Sequence, residues 1–176
     1  MSIILVTGMP GCGKEEFIKV ARDQGYDVVR MGDVVRDWAK KEGVKMNDKG
    51  VGGFAHSERE RHHYGIWAER TLEHISKKDT VIDGVRGDRE VEIFQKELGE
   101  DLVIVAVEAS PETRFERLME RGREDAPRER REFMERDERE LRWGLGEAID
   151  MADVSIENEG TLKEFRKKVE KVLSRI

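Results

Sequence analysis

The sequence has little cysteine and no long hydrophobic run. Cys12 is the single cysteine among 176 residues, which excludes an intramolecular disulfide and fits a reducing compartment. The N-terminal apolar run, residues 3–6, is shorter than the apolar region of a signal peptide and far shorter than a membrane-spanning helix. We therefore expect a cytoplasmic protein that does not contact a membrane.

Neither sign of charge dominates the sequence, which has 33 basic and 39 acidic residues, 41% charged residues and a net charge of −6. Disordered chains usually carry one dominant sign and few apolar residues. A sequence pI near 5.4 does not provide the positive field that nucleic-acid backbones select. The composition therefore predicts a folded protein that does not bind nucleic acid, with a length typical of one domain, residues 1–176.

Short apolar segments alternate along the chain with longer segments of helical period. The short segments are rich in β-branched residues, and the longest are apolar throughout, as expected of parallel strands covered on both faces. They lie at residues 3–6, 28–29, 81–82, 102–107 and 154–156. Helical periods include residues 15–22, 114–120 and 162–176. The alternation predicts an α/β fold with five parallel strands and a ligand crevice at their carboxyl ends.

Two stretches do not fit a simple strand-helix repeat. Residues 32–78 are too long for one crossover and contain a glycine-rich segment, 49–53, which we interpret as a bend between two helices. Residues 114–142 are dense in arginine and helical by propensity. We interpret both stretches as helical insertions above the crevice.

A glycine-rich loop directly follows the first predicted strand. The residues predicted to bind a nucleotide there are Gly8, Met9, Pro10, Gly11, Cys12, Gly13, Lys14 and Glu15. They fit the pattern GxxxxGK in the strand, loop and helix context that the motif requires. Glycines let successive N–H groups point toward phosphates, the helix N-terminus adds positive potential, and Lys14 supplies a charge for the β- and γ-phosphates. The alternative is a glycine-rich turn with an exposed lysine.

Glu15 occupies the position where this motif normally has a serine or threonine that binds Mg²⁺. A carboxylate can ligate Mg²⁺, but beside a triphosphate it also adds repulsion. Glu15 therefore either binds the metal or turns away, in which case the metal rests on water and another acid. The form GxPGxGK resembles the small-molecule P-loop kinases, particularly the adenylate kinase-like nucleoside monophosphate kinases, in which this position is often glycine.

Two acid and arginine pairs follow predicted strands. The segment GDVVR resembles the monophosphate kinase motif whose arginine holds the acceptor phosphate, which implies that Asp33 and Arg36 bind the substrate. In the segment IDGVR, Asp83 stands where a Walker B carboxylate holds Mg²⁺, and the resemblance assigns Arg86 to the acceptor phosphate. The alternatives are that Asp33 caps a helix with Arg36 on its surface, and that Asp83 only forms a turn.

Ten arginines lie between residues 114 and 142, interleaved with almost as many acids. Ion pairs on a solvated helical hairpin explain most of them. A lid would instead bring arginines to the moving phosphoryl group after the substrate binds. By resemblance to the kinases, the candidate catalytic arginines of such a lid are Arg117, Arg123 and Arg136.

The whole chain resembles an archaeal P-loop kinase-like family related to adenylate kinase and dephospho-coenzyme A kinase. Besides the loop, the segments GDVVR, IDGVR, ASPETRFERL and ADVSIENEG carry this resemblance. It implies a P-loop NTPase fold, a three-layer α/β/α sandwich with strand order 2-3-1-4-5. It also implies that residues 32–78 bind the acceptor and that Asn158 lies near the adenine of ATP.

Together these features predict ATP-dependent, Mg²⁺-assisted phosphorylation of a nucleoside monophosphate or dephospho-coenzyme A. Lys14 and Asp83 are the predicted catalytic residues on the donor side, and Asp83 and Glu15 are the candidate metal ligands. The expected partners are a nucleoside triphosphate and a small anionic acceptor, for a chain that is a monomer or a homodimer. The alternative function is a nucleotide sensor or slow NTPase whose metal site Glu15 has weakened.

Overall fold

A computed structural model describes residues 2–76, 78–121, 127 and 129–176, without the side chains of residues 48 and 49. It contains a five-stranded parallel sheet in the order β2-β3-β1-β4-β5. The strands are β1 (Ile3–Thr7), β2 (Asp27–Arg30), β3 (Thr80–Asp83), β4 (Leu102–Glu108) and β5 (Val154–Glu157). The predicted P-loop sandwich with strand order 2-3-1-4-5 is confirmed.

Within the described ranges, nine α-helices connect and cover the strands. They are α1 (Lys14–Asp23), α2 (Met31–Lys41), α3 (Asp48–Arg61), α4 (Ile66–Leu72), α5 (Asp88–Leu98), α6 (Pro111–Arg121), α7 (Arg130–Arg142), α8 (Leu145–Asp150) and α9 (Leu162–Leu173). None of these helices has the length and apolar character needed to cross a bilayer.

The central strand, β1, sends alternate side chains into two separate cores. Ile3 and Leu5 pack with the layer formed by α2, α4 and α5, whereas Ile4 and Val6 pack with α1 and α9. Side chains of a strand alternate between the two faces of its sheet. A strand that is apolar throughout is therefore one that helices cover on both sides.

The carboxyl ends of the strands meet along one edge of the sheet. Val6 near the end of β1 lies opposite Asp83 at the end of β3, and Thr7 lies opposite Ala106 of β4. Arg30, the last residue of β2, lies opposite Asp83 on its other side. The loops that leave these strands consequently share one edge, where parallel α/β sheets form their ligand crevices.

The glycine-rich segment 49–53 is helical, so the bend predicted there is wrong. The segment lies in α3, which Asn47 caps by accepting a hydrogen bond from the N–H of Gly50 at 2.8 Å. Val51 and Phe54 pack against the core layer of α2, α4 and α5. The cap and this packing outweigh the low helix propensity of glycine.

Candidate functional site

The loop between β1 and α1 turns through glycines with positive φ, which is 146° at Gly8 and 114° at Gly13. Residues other than glycine rarely adopt such φ values. A methyl group at Gly8 would also collide with the carbonyl oxygen of Val107, and one at Gly13 with the amide of Asn158. Only glycine fits at either position, because the loop lies directly against β4 and the turn after β5.

Lys14, the first residue of α1, folds its side chain back over the loop. Its Nζ donates a hydrogen bond to the carbonyl of Gly8 and lies 3.8 Å from Sγ of Cys12. The amine thus lies beside the backbone N–H groups of the loop and the N-terminus of α1, which both carry positive potential. This combination of groups can bind the phosphates of a nucleotide.

Two side chains hold the carbonyl oxygen of Cys12. Nδ2 of Asn158 donates to it at 2.8 Å, and Nη1 of Arg117 donates at 3.4 Å. Nη2 of Arg117 also donates to the backbone carbonyl of Asn158 at 2.9 Å. Arg117, predicted as a lid residue, therefore joins the loop to the turn after β5.

Arg114, one helical turn before Arg117, holds the opposite end of the loop. Its side chain is 4% exposed and pairs with Asp137 of α7, with Nη1 and Oδ1 2.9 Å apart. The same nitrogen donates to the carbonyl of Pro10 at 3.1 Å, and the guanidinium lies 4.9 Å from the ring centre of Phe133. Nothing in the local sequence distinguishes Arg114 from its neighbours, because its partner Asp137 lies 23 residues away.

Glu15 turns toward the end of β2 and binds Arg30. Nη1 and Nη2 of Arg30 donate to Oε1 and Oε2 of Glu15, each at 2.8 Å, which is the parallel two-bond geometry typical of arginine and carboxylate. The hydrogen bonds that Arg30 donates to Glu15 raise the pKa of Arg30. Whether Glu15 ligates a metal stays a prediction. Arg30 was not predicted as its partner, because nothing in the local sequence marks Arg30.

Asp83 ends β3 between β1 and β2. Its Oδ1 atom is buried and has no hydrogen-bond partner in the part of the chain described here. Burial raises the pKa of Asp83, while the nearby cations Lys14 and Arg30 oppose that increase. A buried oxygen without a partner near Lys14 is an available ligand for a metal ion or its bound water.

Two cavities adjoin these residues. The first, here called the loop cavity, has a volume of about 390 Å³ and includes residues of the glycine-rich loop. Its charged lining residues are Lys14, Glu15, Arg36, Asp83, Arg86, Arg121 and Arg136. The second, here called the helix cavity, has a volume of about 660 Å³ and is lined by residues from α2, α3, α4, α5, α7 and α8.

The two cavities share four lining residues, Arg36, Asp83, Gly84 and Arg86. Arg36 binds Asp33 in the first turn of α2, where Asp33 does not cap the helix because α2 begins two residues earlier. Nη1 of Arg86 lies 2.6 Å from both carboxylate oxygens of Glu140, whose side chain is only 3% exposed. The passage between the cavities therefore contains two arginines that already have carboxylate partners.

Ten of the predicted site residues line the cavities. They are Gly8, Pro10, Gly11, Gly13, Lys14, Glu15, Arg36, Asp83, Arg86 and Arg136. Asn158 and Arg117 instead support the loop, and Asp33 binds Arg36. Arg123 lies outside the described residues. Arg121, which also lines the loop cavity, was not chosen from among the ten arginines. No group of three or more histidine, cysteine, aspartate or glutamate side chains suited to a metal occurs in the described ranges.

Comparisons with known proteins identify a matching family model and similar archaeal proteins. A family model described as an AAA domain matches residues 7–133. A UPF0200 protein of Thermoplasma volcanium is 44% identical over 172 residues, which cover 97% of this chain and 96% of the relative. A UPF0200 protein of Pyrococcus horikoshii is 41% identical over 180 residues, which cover 99% of this chain and 97% of the relative.

Solved structures with the same fold include kinases at low sequence identity. A shikimate kinase from Bacteroides thetaiotaomicron has a TM-score of 0.69 at 16% identity, with 98% of each chain covered. A gluconokinase from Sinorhizobium meliloti has a TM-score of 0.58 at 17% identity, covering 99% of this chain and 92% of the other. The predicted relation to archaeal P-loop kinase-like proteins is confirmed: the chain belongs to the UPF0200 family and has a P-loop kinase-like fold.

Proposed function

We propose that this protein transfers the γ-phosphoryl group of ATP to a small nucleotide-like acceptor, a nucleoside monophosphate or dephospho-coenzyme A. One observation carries the proposal: the loop cavity and the helix cavity meet at Arg36, Asp83, Gly84 and Arg86. A donor bound at the loop and an acceptor bound among the helices would therefore meet between two arginines and a carboxylate. The kinases that share this fold support phosphotransfer as the reaction class.

On the donor side, Lys14 and the N–H groups of the loop bind the β- and γ-phosphates of ATP. Asp83 is the residue that would hold Mg²⁺, whose charge offsets the charge of the phosphates when it is bound. The buried Oδ1 without a partner fits this role, because Mg²⁺ commonly takes one or two carboxylates and completes its shell with water and phosphate oxygens. The turn at Asn158 contacts the adenine.

On the acceptor side, Arg36 and Arg86 bind the phosphate that receives the γ-phosphoryl group. An oxygen of this phosphate attacks the γ-phosphorus as the bond to the β-phosphate oxygen breaks. The attacking oxygen is already ionised and needs no general base, whereas a ribose hydroxyl would need one, and Asp33 is the candidate. Arg121 and Arg136 line the loop cavity and offset the charge on the group in transfer.

A panel of acceptors tests this proposal. The protein is incubated with ATP and Mg²⁺ and with one of the four common nucleoside monophosphates, dephospho-coenzyme A, shikimate or gluconate, and the products are separated by chromatography. We expect transfer to a nucleoside monophosphate or to dephospho-coenzyme A. Preferred transfer to shikimate or gluconate would contradict the acceptor class, and transfer to none of the panel, with ATP bound, would contradict the kinase.

The second candidate function is a nucleotide sensor or slow NTPase, and the Glu15 side chain is the observation that favours it. Its carboxylate binds Arg30, so α1 offers no hydroxyl to the metal at this position. Glu15→Ser restores the hydroxyl, and in a kinase it should lower the Mg²⁺ concentration needed for half-maximal transfer several-fold. Glu16→Ser is the matched control, since Glu16 binds Arg166 of α9. A sensor would bind ATP in all three proteins and transfer phosphate in none.

A further inference from the structure

The helix cavity contains an unusual concentration of exposed apolar side chains. Seven large apolar side chains are exposed among the described residues, and three of them line this one cavity. They are Tyr64, Leu141 and Trp143, with exposed fractions of 55%, 48% and 45%. Large apolar groups that gather in a concave site, instead of being scattered singly, mark a place where a ligand covers them.

The fold brings Tyr64 and Trp143 beside the same helix, α5, although they are 79 positions apart in the sequence. Each precedes a glycine that packs closely on the N-terminal half of α5. A methyl group at Gly65 would lie 2.7 Å from Cγ1 of Ile93. A methyl group at Gly144 would lie 3.0 Å from Oδ1 of Asp88. The close approach of these two glycines to α5 therefore positions the backbone of Tyr64 and Trp143 beside the cavity.

Trp143 has further support from its own helix. The backbone N–H of Trp143 donates to the carbonyls of Arg139 and Glu140, each at 3.2 Å. The Arg139 guanidinium lies 5.8 Å from the centre of the indole, and the carboxylate of Glu140 is held by Arg86. An indole that is 45% exposed on a fixed stretch of backbone is suited to stacking on a flat ring, because it offers a large, rigid apolar face.

The helix cavity is lined by two arginines that it shares with the loop cavity and by charged and apolar residues of its own, the charged ones including Arg59, Arg89 and Arg142. Arg36 and Arg86 lie where it opens into the loop cavity, whereas Tyr64, Leu141 and Trp143 line the helix cavity alone. An acceptor that matches this wall has an anionic group at one end and an apolar, flat group at the other. The volume of about 660 Å³ accommodates both parts, since ligand sites of this kind range from about 300 to 1,000 Å³.

We infer that Tyr64, Leu141 and Trp143 form a seat for the aromatic ring of the acceptor, while its phosphate lies at Arg36 and Arg86. This inference rests on the proposed function and narrows it. The ring, and not only the phosphate, is then required for tight binding, so a compact sugar acid or sugar phosphate is a poor acceptor.

Calorimetric titrations without ATP test the seat. The probes are the four nucleoside monophosphates, dephospho-coenzyme A and ribose 5-phosphate, which has the anionic group without the ring. We expect at least one ring-bearing probe to bind at least tenfold more tightly than ribose 5-phosphate, because stacking of one base on an aromatic side chain contributes about that factor or more. Equal affinities of all probes would overturn the seat.

Substitutions in the seat should remove that difference selectively. Trp143→Ala should lower the affinity for the ring-bearing probe about tenfold and leave that for ribose 5-phosphate unchanged, and Trp143→Phe should restore most of the loss. Leu141→Ala and Leu162→Ala form a matched pair, since Leu162 is 54% exposed on α9 and lines neither cavity. The first should weaken ring binding and the second should not. A loss that is the same for both probes, or a similar loss with Leu162→Ala, would contradict the seat.

The two proposals can fail separately. Ring-bearing probes that bind through Trp143 but receive no phosphate from ATP would leave the seat standing and contradict the kinase. Transfer to ribose 5-phosphate with the same kcat/KM as to a nucleoside monophosphate would leave the kinase standing and contradict the seat.

Discussion

The loop cavity and the helix cavity adjoin each other but are built in different ways. The loop cavity owes its shape to a continuous segment, residues 8–15, whose glycine backbone and lysine follow each other in the sequence. The helix cavity takes its wall from six helices that span most of the chain. The loop cavity, where we propose that the phosphates of ATP bind, is therefore encoded locally. The helix cavity, where we propose that the acceptor binds, exists only after the helices have packed.

The two cavities also differ in how their cations are neutralised. Lys14 donates to a neutral carbonyl of its own loop, so it is available to a phosphate. Five of the six arginines that line the helix cavity have carboxylate partners, as in the pairs of Arg30 with Glu15, Arg59 with Glu90 and Arg86 with Glu140. An anionic acceptor must compete with those carboxylates, so we expect single substitutions to have larger effects in the loop cavity than in the helix cavity.

Lys14→Ala should have the largest effect, a loss of about 10³-fold or more in kcat/KM for ATP. It removes a fixed charge from the position where negative charge develops during transfer. The measurement is steady-state phosphotransfer with the best acceptor of the panel, together with the far-ultraviolet circular dichroism spectrum. Lys19→Ala, an exposed lysine on the same helix, is the control and should keep full activity. Activity that persists in Lys14→Ala would contradict the role of the loop.

Arg86→Ala should have the next largest effect, a rise of about 10²-fold in KM for the acceptor with a much smaller change in KM for ATP. The truncation removes a phosphate ligand and leaves the buried Glu140 carboxylate without its partner, so the melting temperature should also fall. Glu140→Gln keeps Arg86 but removes the carboxylate charge that competes with the acceptor phosphate for it, so this variant should lower KM for the acceptor. Equal rises in KM for ATP and for the acceptor would place Arg86 on the donor side and remove the distinction between the cavities.

Arg117→Ala should have an intermediate effect, of about tenfold on KM for ATP with kcat nearly unchanged. Its hydrogen bonds go to the carbonyls of Cys12 and Asn158, so its removal loosens the loop before ATP binds. Arg136, which lines the loop cavity, provides the contrast, because Arg136→Ala should lower kcat instead. The KM and kcat of both variants separate the two roles, and a large fall in kcat for Arg117→Ala would show that Arg117 reaches the phosphates.

Most of the fold and the loop could be predicted from the sequence, because they depend on short-range patterns. The uninterrupted apolar character of β1 and β4 predicts buried parallel strands. The motif GxxxxGK by itself predicts the backbone geometry of a phosphate-binding loop. The partners of the arginines could not be predicted. Arg114 binds Asp137 across 23 positions, and Arg86 binds Glu140 across 54, so any of the many acids of this chain was an equal candidate until the helices were placed.

The same reasoning explains why the segment 49–53 was misread and why Arg30 was missed. Glycine disfavours helix locally, but the Asn47 cap and the packing of Phe54 lie outside the glycine pattern itself. Arg30 gains its position from the register of β2 against Asp83, which only strand order reveals. Long-range packing thus supplies what the local sequence lacks, and it does so mainly in the helix cavity and along the rim that both cavities share.

The smallest expected effect is a change in melting temperature on substitution of Asp83, which lines both cavities. Because burial raises its pKa, the folded protein binds more protons than the unfolded chain between the ordinary aspartate pKa and the raised one, and stability falls as pH rises through that window. Asp83→Asn, measured without nucleotide or Mg²⁺, should therefore melt a few degrees above the native protein at pH 7, which corresponds to about 1 kcal/mol for a chain of this size.

That difference should shrink as the pH falls toward the ordinary aspartate pKa, because more of the native carboxyl is then protonated in the folded protein. Thermal unfolding from pH 4 to 8 measures it, with Asp23→Asn, an exposed position in the last turn of α1, as the control. A melting temperature that falls in Asp83→Asn at pH 7 would mean that Lys14 and Arg30 stabilise the ionised carboxylate more than burial destabilises it. The carboxylate would then be a structural partner of those cations in the free protein, and not a ligand kept available for the bound nucleotide and its metal.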